Sequence, residues 1–207
     1  SVPYTFNGGI YENRVKSKAL TPSTADELVL GPNIKDWPEM VPLTDNVMLK
    51  FAAVIDDPVT TTDELIPSGE TSSFRSNPLR LAEFTLSRRV PEYVERAKET
   101  YADEVERRKG VTSNDLSKAL SVASEKIANC SASNTGTGSL IFANKPGDGS
   151  AREQAASCQK VLGGWANLAV EYATKRYRSN CINWGILPFT INKSDCDFKV
   201  GEYLFVP

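Results

Sequence analysis

The chain has 207 residues, a length that suits one domain, or one domain preceded by a long lead-in. Its net charge of −2 and apolar content of 40% give no electrostatic reason to expect nucleic acid or a membrane surface as a partner. No apolar run approaches the roughly 20 residues that span a bilayer, and no secretory signal pattern opens the sequence. We therefore expect a cytoplasmic globular protein.

Two residue types limit the chemistry that this chain can perform. It contains no histidine, so it cannot by itself build a Ser-His-Asp or Cys-His catalytic unit or a histidine-containing metal site. Its four cysteines show no CxxC or CxC spacing, which favours reduced thiols over a disulfide framework. The same spacing gives no zinc or iron–sulfur motif. We therefore expect no metal ligated by this chain.

The N-terminal part predicts a lead-in or linker at residues 1–45, because it is rich in Pro, Gly, Asn and Thr and carries several turn signals. The domain proper is predicted at 46–207, and its first strand at 48–55, where the sequence reads MLKFAAVI. A polar segment at 56–70 follows this strand.

Two or three helices are predicted as an insertion at about residues 79–128, and the second and third candidates have apolar residues at helical spacing along one face. They lie at 79–90, 91–108 and 113–128, and a loop of small residues is predicted at 129–138. The second helix ends in the charge run ERRK just before Gly110. We interpret this run as cations at a helix C-terminus, where the helix dipole favours them, and not as a nucleic-acid contact.

From residue 139 onward, short apolar runs alternate with helical patterns. This alternation predicts parallel β-α-β pairing. The predicted fold class is α/β, a mostly parallel sheet flanked by helices. The predicted elements are strands at 139–144, 166–170 and 186–191 and helices at 151–162 and about 173–183.

The most informative stretch is residues 147–154, GDGSAREQ, at the predicted turn between a strand and a helix. Its two glycines let the backbone approach a ligand without a Cβ in the way. The helix that follows offers unpaired N–H groups and the positive end of its dipole. Ser150 adds a hydroxyl, and Arg152 adds a guanidinium suited to bidentate binding of carboxylate or phosphate. The stretch predicts a small anionic ligand held at a helix N-terminus.

A purely structural role for this stretch is the main alternative. Ser150 and Glu153 have the spacing of a capping box, which would make the serine a helix cap. Other motifs fit poorly: Arg152 stands where a dinucleotide fingerprint needs its third glycine. The Gly-Lys-Ser/Thr of a phosphate-binding loop and the Gly-x-Ser-x-Gly of a nucleophile elbow do not occur here.

Three segments together resemble the aconitase family. Residues 147–156 are similar to its G-x-G-S-S-R-E-H/Q-A signature, and 180–188 are similar to its N-x4-G-L-L-P segment. Upstream, residues 61–69 and the FRSN at 74–77 are similar to its T-T-D-x-I-x-P-x-G and R-S-N stretch. The resemblance covers roughly residues 30–207. It implies the C-terminal swivelling β/β/α-type domain of aconitase-type hydro-lyases, which isopropylmalate isomerases carry as a separate small subunit.

What the resemblance implies is the dehydration and rehydration of a hydroxy-polycarboxylate, such as the citrate–isocitrate interconversion of the tricarboxylic acid cycle. Ser150 would be the base that removes a proton from a carbon next to a carboxylate. Arg75 and Arg152 match substrate-binding arginines, and Gly149 lies in the same binding turn. Asp63 matches the aspartate of T-T-D, with a turn or cap as its alternative role.

The resemblance also implies a cofactor and a partner. The complete enzyme would use a [4Fe–4S] cluster as a Lewis acid, held by cluster-bearing domains or by a large subunit, with none of it ligated by this chain. The substrate would be a small polycarboxylate, with no nucleic acid and no membrane involved. We interpret the chain as an excised domain or subunit-like piece, and we expect no hydro-lyase turnover from it alone.

This sequence departs from the family pattern in ways that leave the substrate open. The second serine of the signature, a substrate contact in the family, is Ala151 here, so one hydrogen bond to a carboxylate is lost. Glu64 stands where many members have histidine, and Gln154 replaces the histidine of the R-E-H variant. Two alternatives therefore remain: the small subunit of an isopropylmalate- or homoaconitate-type isomerase, and a non-catalytic anion-binding module.

Overall fold

The computed structural model describes residues 3–19, 27, 29–127 and 129–207. The chain forms two compact units, Ser1–Pro32 and Asn33–Pro207. The N-terminal unit is not wholly irregular as predicted, because helix α1 spans Gly9–Ala19, a stretch without proline and with several good helix formers. The end of the predicted lead-in belongs to the larger unit, and a linker role for residues 1–45 stays a prediction.

The elements of the larger unit follow the chain in this order. The strands are β1 (Asn46–Ile55), β2 (Thr60–Thr61), β3 (Thr135–Ala143), β4 (Pro146–Asp148), β5 (Gly164–Ala169), β6 (Leu187–Thr190) and β7 (Tyr203–Val206). The α-helices are α2 (Thr62–Leu65), α3 (Pro78–Ala82), α4 (Tyr93–Arg108), α5 (Asn114–Lys126), α6 (Arg152–Val161) and α7 (Lys175–Asn183).

The main sheet has the strand order β6-β5-β3-β1-β7. β1, β3, β5 and β6 run parallel to one another, and β7 is antiparallel to β1 at one edge. This architecture confirms the predicted α/β class with a mostly parallel sheet flanked by helices. The sequence pattern missed β7, and it missed the small parallel sheet in which β2 pairs with β4.

Helices α3, α4 and α5 lie between β2 and β3, where the helical insertion was predicted. The prediction of a helix through residue 90 was wrong, because α3 ends at Ala82. Leu86 explains this: its backbone has a φ of 56°, its side chain is fully buried, and its N–H donates to the carbonyl oxygen of Leu65 at 2.9 Å. The predicted end of α5, Ala128, lies outside the described residues.

β3 begins four residues earlier than predicted, within the stretch interpreted as a small-residue loop. Gly136 and Gly138 lie in this part of the strand, and a Cβ on either would come within 2.5 Å of the Trp165 indole. The glycines therefore make room for a large side chain from the neighbouring strand β5. Trp165 is 1% exposed, so this packing is part of the core.

Both faces of the main sheet are covered. One face packs against the helices and includes the buried side chains Tyr93, Ala155 and Tyr177. The other face includes Phe51, whose ring centroid is 4.8 Å from that of Phe198 in the C-terminal segment. Over the described parts of the chain, no helix is both long and apolar enough to cross a membrane.

The charge run at the end of α4 is part of a buried ion-pair network, which the sequence did not indicate. Glu104 is 1% exposed and accepts from Arg107 Nε at 2.7 Å and from Arg108 Nε at 2.8 Å. It also accepts from the backbone N–H of Thr137 in β3 at 2.8 Å, and Arg107 Nη1 donates to the carbonyl oxygen of Ala132 at 2.5 Å. The network fixes the end of α4 to the start of β3.

Candidate functional site

The glycine turn lies at the carboxyl end of the parallel strands, where open α/β sheets bind ligands. β3 leads through β4 to Gly149 and Ser150, and α6 begins at Arg152. Gly147 and Gly149 have φ angles of 94° and 133°. These are conformations that residues with a Cβ adopt at a cost, so the turn requires glycine at both positions.

Helix α7 holds the first half of this turn. A Cβ on Gly147 would lie 2.3 Å from ring atoms of Tyr177, so the phenol packs directly against the glycine. Thr174, the N-cap of α7, donates its hydroxyl to the carbonyl oxygen of Gly147 at 3.2 Å and accepts from the N–H of Tyr177 at 3.2 Å. The turn and the start of α7 are therefore one unit.

Tyr177 is fixed by a polar network that sequence reasoning missed. Its hydroxyl oxygen accepts from Gln159 Nε2 at 2.9 Å and from Asn167 Nδ2 at 3.1 Å. Burial raises the pKa of Tyr177 well above its ordinary value, so the phenol stays neutral. No local pattern indicates this network, because its members come from α6, β5 and α7.

The T-T-D segment supports the second half of the turn. β2 pairs with β4 in a register that places Thr61 opposite Asp148. A Cβ on Gly149 would lie 2.1 Å from Thr62 Oγ1. The structure thus brings together two of the three segments that carry the family resemblance.

Ser150 does not cap α6, so the capping-box alternative is wrong. The N-cap position is Ala151, with φ −81° and ψ 42°, and no side chain caps the helix there. Ser150 is exposed, and its hydroxyl makes no hydrogen bond to any described residue. The serine and the first N–H groups of α6 are therefore open to a ligand.

Arg152 is tied back to the turn. Its Nε donates to the carbonyl oxygen of Gly149 at 2.5 Å, and the two terminal nitrogens make no bond within the part of the chain that is described. The guanidinium is thereby oriented at the start of α6 with two nitrogens available. Such a fork suits the two oxygens of a carboxylate.

The other two candidate residues lie in different settings. Arg75 is exposed just after a short 3-10 turn at Ser72–Phe74, and no described residue bonds its guanidinium, those of the glycine turn included. Asp63 accepts from Arg88 Nη1 at 2.8 Å and from the N–H of Ser68 at 3.2 Å. The structure leaves Arg75 free and uses Asp63 in an ion pair and a turn.

The third segment of the resemblance has a structural role. Gly185 follows α7 with a φ of 68°, and the next N–H, that of Ile186, donates back to the carbonyl oxygen of Cys181 at 2.8 Å. Pro188 lies in β6, an edge strand, where a missing N–H is tolerated. The segment ends one helix and begins the last parallel strand.

The four cysteines are free thiols, and two of them are buried. Burial raises the pKa of Cys158 to about 12 and that of Cys181 to about 11, so both stay protonated near neutrality. Cys130 and Cys196 are half-buried. Among the residues that the structure describes, no three or more of His, Cys, Asp and Glu are grouped so as to hold a metal ion.

Comparisons with known proteins relate part of this chain to one family. A model of the Aconitase C-terminal domain matches residues 121–194. The crystal structure of 3-isopropylmalate dehydratase (leuD) from Methanocaldococcus jannaschii DSM2661 is similar to this chain, with a TM-score of 0.44 and 21% identity over 78% of this chain and 71% of that one. No curated protein sequence matches. Residues 121–194, which include the glycine turn and α6, are therefore similar to the aconitase C-terminal domain family.

Proposed function

We propose that this chain is the substrate-binding and base-supplying part of an aconitase-type hydro-lyase. One observation carries the proposal: the unbonded hydroxyl of Ser150 lies at the uncapped N-terminus of α6, two residues before Arg152, whose guanidinium is fixed to the turn. A hydroxyl base and a bidentate carboxylate donor are the two groups that proton removal next to a carboxylate requires.

In this proposal Ser150 acts as an alkoxide that takes the proton from the carbon next to a substrate carboxylate. A serine hydroxyl is a weak base at its ordinary pKa, so the site must stabilise the alkoxide before the transfer. The N–H groups at the start of α6 and the guanidinium of Arg152 supply that field. The negative charge left on the substrate spreads into its carboxylate, which Arg152 holds. Arg75, exposed and unpaired, is a second candidate for a substrate carboxylate.

The departing hydroxyl needs a group from outside these residues. The family uses a [4Fe–4S] cluster as a Lewis acid for this step. The described residues of this chain do not fit such a cluster, since its thiols are separate and no metal-binding group is formed. We therefore propose that a cluster-bearing large subunit or domain completes the active site.

Two substrate classes are candidates. The first is a hydroxytricarboxylate, as in the interconversion of citrate and isocitrate. The second is a hydroxydicarboxylate with an apolar branch, such as isopropylmalate, in which case the chain would act as a small subunit. Ala151 favours the second class, because a methyl group replaces a hydroxyl that would bind one more carboxylate. Assays of the complete enzyme with citrate, isopropylmalate and homocitrate separate them.

The central test is Ser150→Ala in the complete enzyme, this chain together with its cluster-bearing partner. We expect kcat to fall at least 100-fold with little change in KM, because a general base contributes about 100- to 10,000-fold. Ser124→Ala, on the exposed face of α5, is the matched control and should keep full activity. Normal turnover of the Ser150 variant would contradict the proposal and favour a non-catalytic anion-binding module.

A further inference from the structure

Thr62 carries an unused hydroxyl at the edge of the proposed site. The residue is 3% exposed, and its Oγ1 borders Gly149, where a Cβ would lie 2.1 Å from it. The neighbouring Thr61 uses its hydroxyl fully: it accepts from the N–H of Glu64 at 3.2 Å and donates to the carboxylate of Glu64 at 2.9 Å. Thr62 Oγ1 makes no hydrogen bond to any residue that the structure describes.

The hydroxyl is unbonded but not fully enclosed: the fully buried polar atoms without a partner among the described residues include Thr60 Oγ1 but not Thr62 Oγ1. It therefore remains available to a ligand. The hydroxyl faces the backbone of Gly149, which is exposed together with Ser150, so a ligand on the turn would lie beside it.

The Thr62 hydroxyl fits its position only because residue 149 is glycine. The glycine has a φ of 133°, and any side chain there would occupy the position of the Thr62 hydroxyl. Because residue 149 has no Cβ, the hydroxyl keeps its place directly under the turn that presents Ser150.

We propose that Thr62 Oγ1 donates a hydrogen bond to a substrate carboxylate held by Arg152. This role rests on the proposed function, since it names a further contact in the same site. Arg152 would bind the carboxylate through its two free terminal nitrogens, and Thr62 would bind it from the β2 side of the turn. A hydroxyl donor at this position selects for an oxygen acceptor, so Thr62 would help to choose a substrate with a carboxylate there.

The test uses Thr62→Val and Thr62→Ser in the complete enzyme, with Thr60→Val as the control. Thr60 lies two residues earlier in the same segment and is also buried, 1% exposed, with a hydroxyl that no described residue bonds. The readouts are KM, kcat and the inhibition constant of a substrate analogue without the hydroxyl. The analogue is tricarballylate for a tricarboxylate enzyme and 2-isopropylsuccinate for an isopropylmalate enzyme.

We expect Thr62→Val to raise KM and the inhibition constant about 10-fold or more while kcat changes little, because a hydrogen bond to a charged group contributes about that much. Thr62→Ser should restore both constants, and Thr60→Val should change neither. An inhibition constant within twofold of wild type for Thr62→Val would overturn the assignment. So would an equal rise for Thr60→Val, which would indicate a packing effect.

These outcomes are separate from the test of the base. Ser150→Ala is expected to lower kcat and leave the inhibition constant unchanged. If Ser150→Ala loses activity and Thr62→Val binds the analogue normally, only the role of Thr62 is wrong. If neither the wild-type enzyme nor its variants bind the analogue, the proposed function fails and the assignment of Thr62 fails with it.

Discussion

Tyr177 sets the position of Gly147: a Cβ at residue 147 would lie 2.3 Å from atoms of the phenol ring. The ring is in turn fixed by hydrogen bonds from Gln159 and Asn167 to its hydroxyl oxygen. The turn that presents Ser150 therefore rests on a buried, hydrogen-bonded side chain. Rigid support of this kind is what a site for proton transfer needs, since the reacting groups must be held in place.

This relationship predicts that Gly147→Ala destabilises the domain more than an ordinary glycine substitution at positive φ. The matched control is Gly110→Ala, because Gly110 has a similar φ of 86° but no atom within 4 Å of a new Cβ. The backbone strain is common to both variants, so the clash with Tyr177 alone should cost an additional 1–3 kcal/mol, roughly the usual penalty of overpacking. Urea unfolding measures the difference, and equal losses would show that the ring moves aside easily.

The buried network around Glu104 predicts a second difference in stability. Glu104→Gln removes the charge that compensates Arg107, whose side chain is 5% exposed, and should cost about 3–5 kcal/mol. Glu106→Gln is the control, since its ion pair with Lys109 is half-exposed and should contribute less than about 1 kcal/mol. Both free energies of unfolding come from urea titrations near neutral pH. A small loss for the Glu104 variant would mean that water reaches Arg107.

Local sequence patterns were enough to predict most strands of the main sheet. The apolar runs in β1, β5 and β6 and the helical spacing in α4 are properties of short windows, and each element was predicted near its observed place. The family resemblance adds information of the same local kind, because each of its three segments is short.

What the sequence did not predict depends on contacts between distant residues. The start of β3 depends on Trp165, which packs against Gly136 and Gly138 from another strand. Ser150 has the spacing of a cap, and only the backbone geometry at Ala151 shows that it is not one. Short windows contain none of these relationships, so a pattern search treats such glycines as loop and such a serine as cap.

The buried thiols predict how stability depends on pH. Their pKa values are raised in the folded state, to about 12 for Cys158 and about 11 for Cys181, from an ordinary value of 9.0. A raised pKa contributes stability that is complete below pH 9 and is lost as the pH rises toward 11, because the unfolded chain ionises first. At pH 10 each thiol should lower the free energy of unfolding by up to about 1.4 kcal/mol relative to its value below pH 9.

Urea unfolding at pH 8, 9 and 10 checks this dependence. Buried tyrosines also have raised pKa values and add to the decline at higher pH. The double variant Cys158→Ala, Cys181→Ala isolates the contribution of the thiols, since its stability should fall less between pH 8 and 10 than that of the wild type. Identical slopes for the two proteins would mean that the buried thiols ionise as readily in the folded state as in the unfolded chain.

The fixed guanidinium of Arg152 predicts that lysine cannot replace it. Its Nε bond to the carbonyl oxygen of Gly149 leaves a planar pair of nitrogens at the N-terminus of α6, and lysine offers neither the anchor nor the pair. Arg152→Lys in the complete enzyme should therefore raise KM about 10- to 100-fold, with the largest effect on kcat/KM. Arg108→Lys is the matched control: it makes the same substitution at an exposed position at the end of α4, near the start of β3 and not at the glycine turn, and it should leave the kinetics unchanged. If both variants behave like wild type, the substrate carboxylate is bound elsewhere, and Arg75 becomes the first residue to test in the same way.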